Sequence, residues 1–516
     1  MMGFNLLDEC WIPVIRKDWQ RAEVSLIELF QTWETVREIQ ADNPPTTLAI
    51  HRFLLAVLHR AYQGPRNIDH WEEIQQDNGK GAIEYLEKWR DRFDLFHPEH
   101  PFMQDMKLDL DKSVPIFAIH TMSTSKVFSH EHEWSGYGIS SAEAARLLIR
   151  LQSVDITSLR AFYPNQTSGN RSAVNTPPIN NANILVIGKS LQSTLMMNLI
   201  RYDPEAEFPS VVTGEDIPFW ETSYAGKPAK SIPNGYISYL TYPWRRLNLF
   251  SNGVSVDRIA ITMGNSFPDN LSFNQWECGI AFREGKPIRI NPDRQLWRDS
   301  HSFLQSAEKE SRPRIIEWLA QLSSEKLVDK LVCLQVFGMC ADKAKPLAWS
   351  VEYFSAPILY IQDIQLSQAL RIAITIAENH QQIFGGFRGS PYHALAETLN
   401  NNDAGSLGAS LGGKAKYWAI LDRKFQELLL ALPEDKLTNG KSITYGNVEL
   451  PKWTKAVQDA ARDAFTDSIV SIRNYEARAK SLRALQWKLV DLRLSKSEKE
   501  ERKSKSKSKK KEKASA

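Results

Sequence analysis

Near residue 366 the apolar residues of this chain change their period, and that change constrains the fold more than any single motif. "LSQALRIAITIAENHQQIF" opens a set of four segments with hydrophobic positions every three or four residues. "KYWAILDRKFQELLLAL" puts Tyr417, Leu421, Phe425, Leu428 and Leu432 on one stripe. "PKWTKAVQDAARDAFTDSIVSI" repeats Trp453, Val457, Ala460 and Phe465, and "EARAKSLRALQWKLVDLRL" repeats Leu482, Leu485, Leu489 and Leu492. A helix with one apolar stripe must bury it against another element, so four such helices predict a bundle. "NNNDAGSLGASLGG", between the first two, reads as a flexible link.

Upstream the pattern is mixed. "TTLAIHRFLLAVLHRAY" predicts a helix with Leu48, Phe53, Leu54, Val57, Leu58 and Ala61 on one face. "NANILVIGKS" and "CGIAFREGKPIRI" read as strands broken by Gly and Pro. The polar stretches 121–141 and 163–183 read as long loops, which in a compact domain are usually functional or disordered. The fold class is therefore α+β. A large mixed N-terminal domain (1–362) precedes a C-terminal four-helix bundle (363–494) and a disordered Lys/Ser-rich tail (495–516).

Charge is unevenly placed. The tail carries ten Lys/Arg against four Glu, or +6, so the other 494 residues of this +3 chain sum to −3. Any nucleic-acid site in the body must then be a local patch. The four cysteines form no C-x-x-C pair, which excludes a zinc ribbon and favours a reducing, cytoplasmic setting. Asp8 and Glu9 interrupt the apolar start, so it does not read as a secretory signal, and no run of about 18 apolar residues predicts a membrane span.

Several motifs offer chemistry. His97 and His100 in "FHPEHPFMQD" have a ligand-like spacing, but Pro98 and Pro101 forbid the helix that would aim both at a metal. In "SHEHEWSGYG", His130 and His132 alternate with Glu131 and Glu133, and an extended strand would turn both His to one side. No further cluster completes a shell. The two G-K-S triplets have Asn183 and Asp435 where a P-loop needs glycine, so an NTPase is rejected. The loop "AFYPNQTSGNRSAVNTPPINNAN" is rich in amides and hydroxyls that suit base edges and phosphates. Arg473, Arg478, Lys480, Arg483, Lys488 and Arg493 outweigh Glu476 and Asp491 around the last helix, a local +4 suited to a phosphate backbone.

The order "NLLDECWIPV", "FHPEHPFMQ", "NTPP", "WECGIAFREG", helical C-terminal region resembles the CasA family, large subunits of the type I-E CRISPR surveillance complex (Cascade), over about residues 4–494. That resemblance implies a non-catalytic subunit without a cofactor. It would recognise the protospacer-adjacent motif (PAM) in duplex DNA through the minor groove, help open the duplex for crRNA pairing, and recruit the helicase-nuclease. Its partners would be the other Cascade subunits, crRNA, double-stranded target DNA and that effector, with no membrane. The minor groove carries a degenerate code, so tolerance of several PAMs is expected.

Residue by residue, the resemblance places a groove-entering loop at 163–171. Asn165, Gln166, Gly169, Asn170 and Arg171 are its contacts, with "YPNQTSG" in place of the family's glycine run. It places a strand-separating wedge at "GMCADKAKP", with Asp342, Lys343 and Ala344 at the tip. A loop touching the crRNA end and neighbouring subunits matches roughly 126–138, with Val127, Phe128 and Ser129 as candidates. The family's minor-groove lysine has no match, so Arg245, Arg246 or Arg258 would substitute. Arg473, Arg478, Lys480 and Arg483 would lie along the DNA backbone. His97 and His100 become a turn signature rather than a metal site. The competing readings are a metal-dependent nuclease built on His130 and His132, and a scaffold that never touches DNA.

Overall fold

The computed structural model describes residues 3–120, 136–168, 171–283, 285–291, 294–304, 312–342, 345–440 and 442–493. They mix helices and strands and fall into two compact units: residues up to Ile358 form the first, except Leu304, which groups with the second unit from Leu359 onward.

The first unit starts with an antiparallel sheet of β1 (Ile12–Arg16), β2 (Arg21–Val24) and β3 (Val36–Ile39), in the order β2-β1-β3. The central helix α1 (Pro44–Tyr62) follows. The Asn43 side chain accepts the Thr46 N–H, and two prolines occupy positions whose N–H has no helical partner. Sequence periodicity assigns this helix one apolar face. It buries more than one, because Ile50, Leu55 and Ala56 are enclosed as well as Leu48, Phe53, Leu54, Val57 and Leu58, while Ala61 is half-buried. A helix apolar on several sides belongs at the centre of a core. His51 and His59 are enclosed with it, their Nδ1 atoms 2.8 Å from the Thr47 and Gly64 carbonyls. Burial pushes both imidazoles down to about 4, so they are neutral at pH 7. Helix α2 (Ser141–Ser153), opened by a Ser140/Glu143 capping box, packs against α1.

After α2 come the elements that carry the site. Strands β4 (Ser158–Leu159) and β5 (Ser172–Ala173) pair antiparallel, closing a loop between them. Strand β6 (Asn183–Ile187) is the predicted "NILVI" strand. Strands β7 (Arg245–Ser251) and β8 (Val256–Met263) form an antiparallel pair. "CGIAFREGKPIRI" yields only a two-residue pairing, Phe282–Arg283 with Lys286–Pro287. Strands β9 (Leu331–Asp342) and β10 (Lys345–Pro357) make a long hairpin, and β6 pairs with the other edge of β9.

The motifs that carry the resemblance lie at buried junctions. In "NLLDECW", the Trp11 indole donates to the Leu6 carbonyl and Asn5 bonds both Leu7 and Arg90. In "WECG", Glu277 takes the Arg52 guanidinium, the Tyr239 hydroxyl at 2.7 Å, and the Cys278 and Gly279 N–H groups. A buried carboxylate needs that many donors to stay charged. Ile184 in turn bonds the Gly279 carbonyl, so the motif fixes the start of β6.

The second unit consists of helices α3 (Ile364–His380), α4 (Pro391–Thr398), α5 (Ala404–Ser410), α6 (Gly413–Ala431), α7 (Glu449–Ser468) and α8 (Tyr475–Arg493). A hairpin of β11 (Lys436–Asn439) and β12 (Ser442–Tyr445) precedes α7. All four periodic segments are helices. Helix α6 packs on α7, α3 on α7, and α4 on α8. The segment read as a flexible link is structured instead. Asp403 accepts the Ser406 N–H and starts α5, and Gly408 lies so close to the Tyr392 ring that a side chain would collide with it. Gly408 serves close approach, and Gly412, left-handed at φ 70°, shapes the turn into α6. The tail lies outside the described residues. Among the described residues no helix is long and apolar enough to cross a membrane.

Candidate nucleic-acid interface

The loop between β4 and β5 stands on a buried charge cluster. Asp155 is 3% exposed, and its Oδ2 accepts Arg245 Nε at 2.7 Å and Arg160 Nη2 at 2.9 Å, while Arg150 Nη1 lies 4.0 Å from Oδ1. Burial alone would raise this carboxyl, but Arg245, then Arg160 and Arg150, outweigh burial and hold it below its ordinary range. Burial beside two other cations brings Arg150 down to about 10, still protonated at pH 7. Arg245 also donates to the Ile156 and Val174 carbonyls, one on each leg of the loop. "NTPP" closes the base. Asn175 accepts the Thr157 N–H at 2.6 Å, and Thr176 Oγ1 accepts the Asp155 N–H at 2.9 Å.

Above this base the loop reaches solvent. Arg160 N–H bonds the Arg171 carbonyl, and the Arg171 guanidinium lies 5.2 Å from the Phe162 ring. The Gln166 N–H returns to the Tyr163 carbonyl at 3.0 Å, with Asn165 left-handed at φ 63°. Asparagine tolerates that conformation better than most residues. Asn165 and Arg171 are exposed and Gln166 is half-buried; Gly169 and Asn170 lie outside the described residues.

The β9–β10 hairpin ends in the pair Asp342↔Lys345, both exposed. Lys343 and Ala344, between them, lie outside the described residues. Strand β6 pairs only with Cys333–Phe337, so the ribbon continues past its third strand. Gly338 sits so close to Ile290 that an added Cβ would collide with it. The extension is stitched to the loop. Asn180 donates its N–H to the Met339 carbonyl at 2.8 Å, and its Oδ1 accepts the Ala341 N–H at 2.7 Å. Segment 175–181 is thus the root of both projections: "NTPP" holds the loop and Asn180 holds the hairpin.

A profile of the family described as CRISPR-associated protein Cse1 matches residues 5–464. The chain belongs to the Cse1 family. The CRISPR-associated protein CasA/Cse1 of Thermus thermophilus is 27% identical over 492 residues, covering 90% of this chain and 91% of that protein. The fold resembles crystal structures of Thermobifida fusca Cse1 (TM-score 0.76, 22% identity) and Thermus thermophilus CasA (TM-score 0.76, 24% identity), each covering 95% of this chain and 99% of the other. It also resembles a chain of a CRISPR RNA-guided surveillance complex, with TM-score 0.75, 18% identity, and the same coverage.

Two of the substitutes named for the family's minor-groove lysine are overturned. Arg245 is 0% exposed and committed to Asp155. Arg246 is 2% exposed; its Nη1 bonds Asp105 at 3.1 Å and the Gly226 carbonyl at 2.7 Å, and it lies 5.3 Å and 4.8 Å from the Tyr163 and Tyr224 rings. Adjacent strand residues point to opposite faces, and in this sheet both faces are covered. Arg258 is half-buried, with Nε and Nη2 on Ser113 at 2.7 and 2.8 Å.

The segment "FHPEHPFMQ" forms a turn. His97 Nδ1 accepts the Glu99 and His100 N–H groups at 3.2 and 3.0 Å, and the two imidazoles stack with centroids 5.7 Å apart. Phe102 and Gln104 are buried, and Gln104 joins the Leu95 carbonyl to the Leu249 N–H. Among the described residues no group of three or more His, Cys, Asp or Glu is placed to hold a metal. Val127, Phe128, Ser129, His130 and His132 lie outside those residues. The flanks of that stretch meet, His120 Nδ1 lying 2.9 Å from the Tyr137 hydroxyl.

On α8 and its approach, Arg473, Lys480 and Arg483 are exposed. Arg478 is half-buried over the Tyr475 ring at 6.0 Å, and Lys480 pairs with Glu476 at 2.7 Å. Sequence reading did not single out Asp155, Arg160 or Asn180. Their partners are distant or lie in irregular backbone, which no periodicity reveals.

Proposed function

We propose that this Cse1-family protein is a non-catalytic subunit of a type I-E RNA-guided CRISPR surveillance complex that recognises the PAM. Asn165, Gln166, Gly169, Asn170 and Arg171 enter the minor groove. Asp342, Lys343 and Ala344 form the wedge that helps part the strands for crRNA pairing. Lys343 can wedge with its aliphatic stem and hold a phosphate with its ammonium. Val127, Phe128 and Ser129 touch the crRNA end and neighbouring subunits. The α8 cations Arg478, Lys480 and Arg483, with Arg473, follow the DNA backbone, and the subunit recruits the helicase-nuclease. We read residues 1–362 as the PAM-recognition domain, 363–494 as a four-helix bundle and 495–516 as a disordered basic tail.

The observation that supports this reading best is the common root of the two projections. A loop with exposed amide and guanidinium groups and a protruding hairpin, both held by 175–181, suit reading a short duplex motif and opening it alongside. The test is reconstitution with guide RNA and the other subunits. The expected result is PAM-dependent target binding that weakens on Lys343→Ala or on exchange of loop 165–170, with assembly unchanged. Unaltered target affinity in both would refute the assignment.

A further inference from the structure

The tip of the proposed groove-reading loop hangs on one residue. The turn containing Asn165 and Gln166 closes on the Tyr163 carbonyl. Tyr163 is 6% exposed and packs with Leu108, Ala260 and Phe250. Its hydroxyl reaches Asp105 Oδ2 at 3.2 Å, the oxygen that also accepts Arg246. Arg246 lies against the Tyr163 ring and holds the Ala225 and Gly226 carbonyls. Asp105 is itself fixed to β7 by its N–H on the Leu247 carbonyl at 2.9 Å. The last residue of "FHPEHPFMQD" therefore meets the loop tip through a buried guanidinium.

We propose that Arg246 and the Tyr163 hydroxyl, both held by Asp105 Oδ2, position the loop tip: together they fix the Tyr163 ring and so the projection of Asn165 and Gln166 toward DNA. This rests on the proposed PAM reading. Arginine suits the task because its planar fork serves a carboxylate and two carbonyls while its face packs on an aromatic ring. Lysine keeps the charge but not that geometry. Tyr163→Phe keeps the ring and packing but removes the hydroxyl tie to Asp105.

The experiment measures PAM-duplex affinity of the reconstituted complex for Tyr163→Phe, Arg246→Lys, Asn165→Ala/Gln166→Ala, and Tyr163→Phe combined with the latter pair. Tyr163→Phe should weaken binding about five-fold, the size of one ordinary hydrogen bond, while the thermal midpoint of the subunit falls by no more than a few degrees, the cost of that bond to the fold. Arg246→Lys should weaken it further, and both should narrow discrimination between PAM sequences. In the Asn165→Ala/Gln166→Ala background, Tyr163→Phe should cost nothing more, because a positioning residue has no effect once the groups it positions are gone. An additive loss, or wild-type affinity for Tyr163→Phe while the amide pair matters, overturns the inference and leaves the loop reading intact. If the amide pair itself is neutral, the loop reading falls and the inference with it. Arg246→Lys can fail to fold; the Tyr163→Phe cycle decides without it.

Discussion

The two units use charge in opposite ways. In the first, Asp155, Arg245, Arg150, Asp105 and Arg246 are all buried and bind segments far apart in the chain. In the second, ion pairs within α7 and α8, such as Arg462–Asp459 and Lys480–Glu476, join residues one helical turn apart, Lys416–Asp467 joins α6 to α7, and all three face solvent. A buried carboxylate that loses its cations, or the reverse, is costly, whereas an exposed pair in water contributes little. The first unit therefore shapes irregular backbone with its charges. The second shapes its helices with apolar stripes and leaves its charges available to a partner.

The largest test of that contrast is Asp155→Ala, which leaves three guanidiniums buried around no carboxylate. It should destabilise the first unit by about 3–5 kcal/mol in denaturant unfolding, the range for breaking a buried pair; Lys480→Ala should leave the midpoint unmoved. A small effect of Asp155→Ala would erase the contrast.

The next effect is a pH dependence carried by the first unit's core. His51 and His59 have folded values near 4, below the usual 6.5. Their neutral form is the one the fold accepts, so their contribution is complete above about pH 6.5 and is lost as pH falls toward 4. Each corresponds to roughly 3 kcal/mol over that window. A thermal midpoint that drops between pH 6.5 and 4, and drops less in His59→Gln, is the expected outcome. A flat wild-type profile would count against neutral burial.

A smaller effect concerns the stitch. Asn180→Gly keeps the left-handed backbone but removes the bond to the Ala341 N–H. It should cost about 1 kcal/mol of stability and raise amide exchange at Ala341 specifically. The smallest concerns the second unit alone. Reversing Arg478 and Arg483 should leave stability unchanged and flatten the salt dependence of target binding by about two phosphate contacts. An unaltered slope would make that face merely solvated.

The second unit was the more legible because its information is local. Leu421, Phe425 and Leu428 announce a buried stripe without knowledge of what covers it, and all are buried. Even there "NNNDAGSLGASLGG" misled, since glycines that admit the Tyr392 ring look like glycines that loosen a chain. In the first unit, the exposure of Asn165 agrees with the polar composition of its loop, and that of Asp342 with the hairpin tip the resemblance implied. The destination of Arg245 and Arg246 did not. Adjacent arginines in a sequence look like surface charge, and only the partners 90 and 141 residues away make them interior. The family motifs were legible as signatures, but their job of joining distant backbone emerges only in three dimensions.

Segment 175–181 has a mechanical consequence. Two projections mounted on one block move together. Because the loop and the hairpin share that block, neither can shift without bending the other's mount. Insertions that lengthen either projection beyond the mount would change its reach and leave their spacing alone, whereas a change at Asn180 would alter the spacing itself.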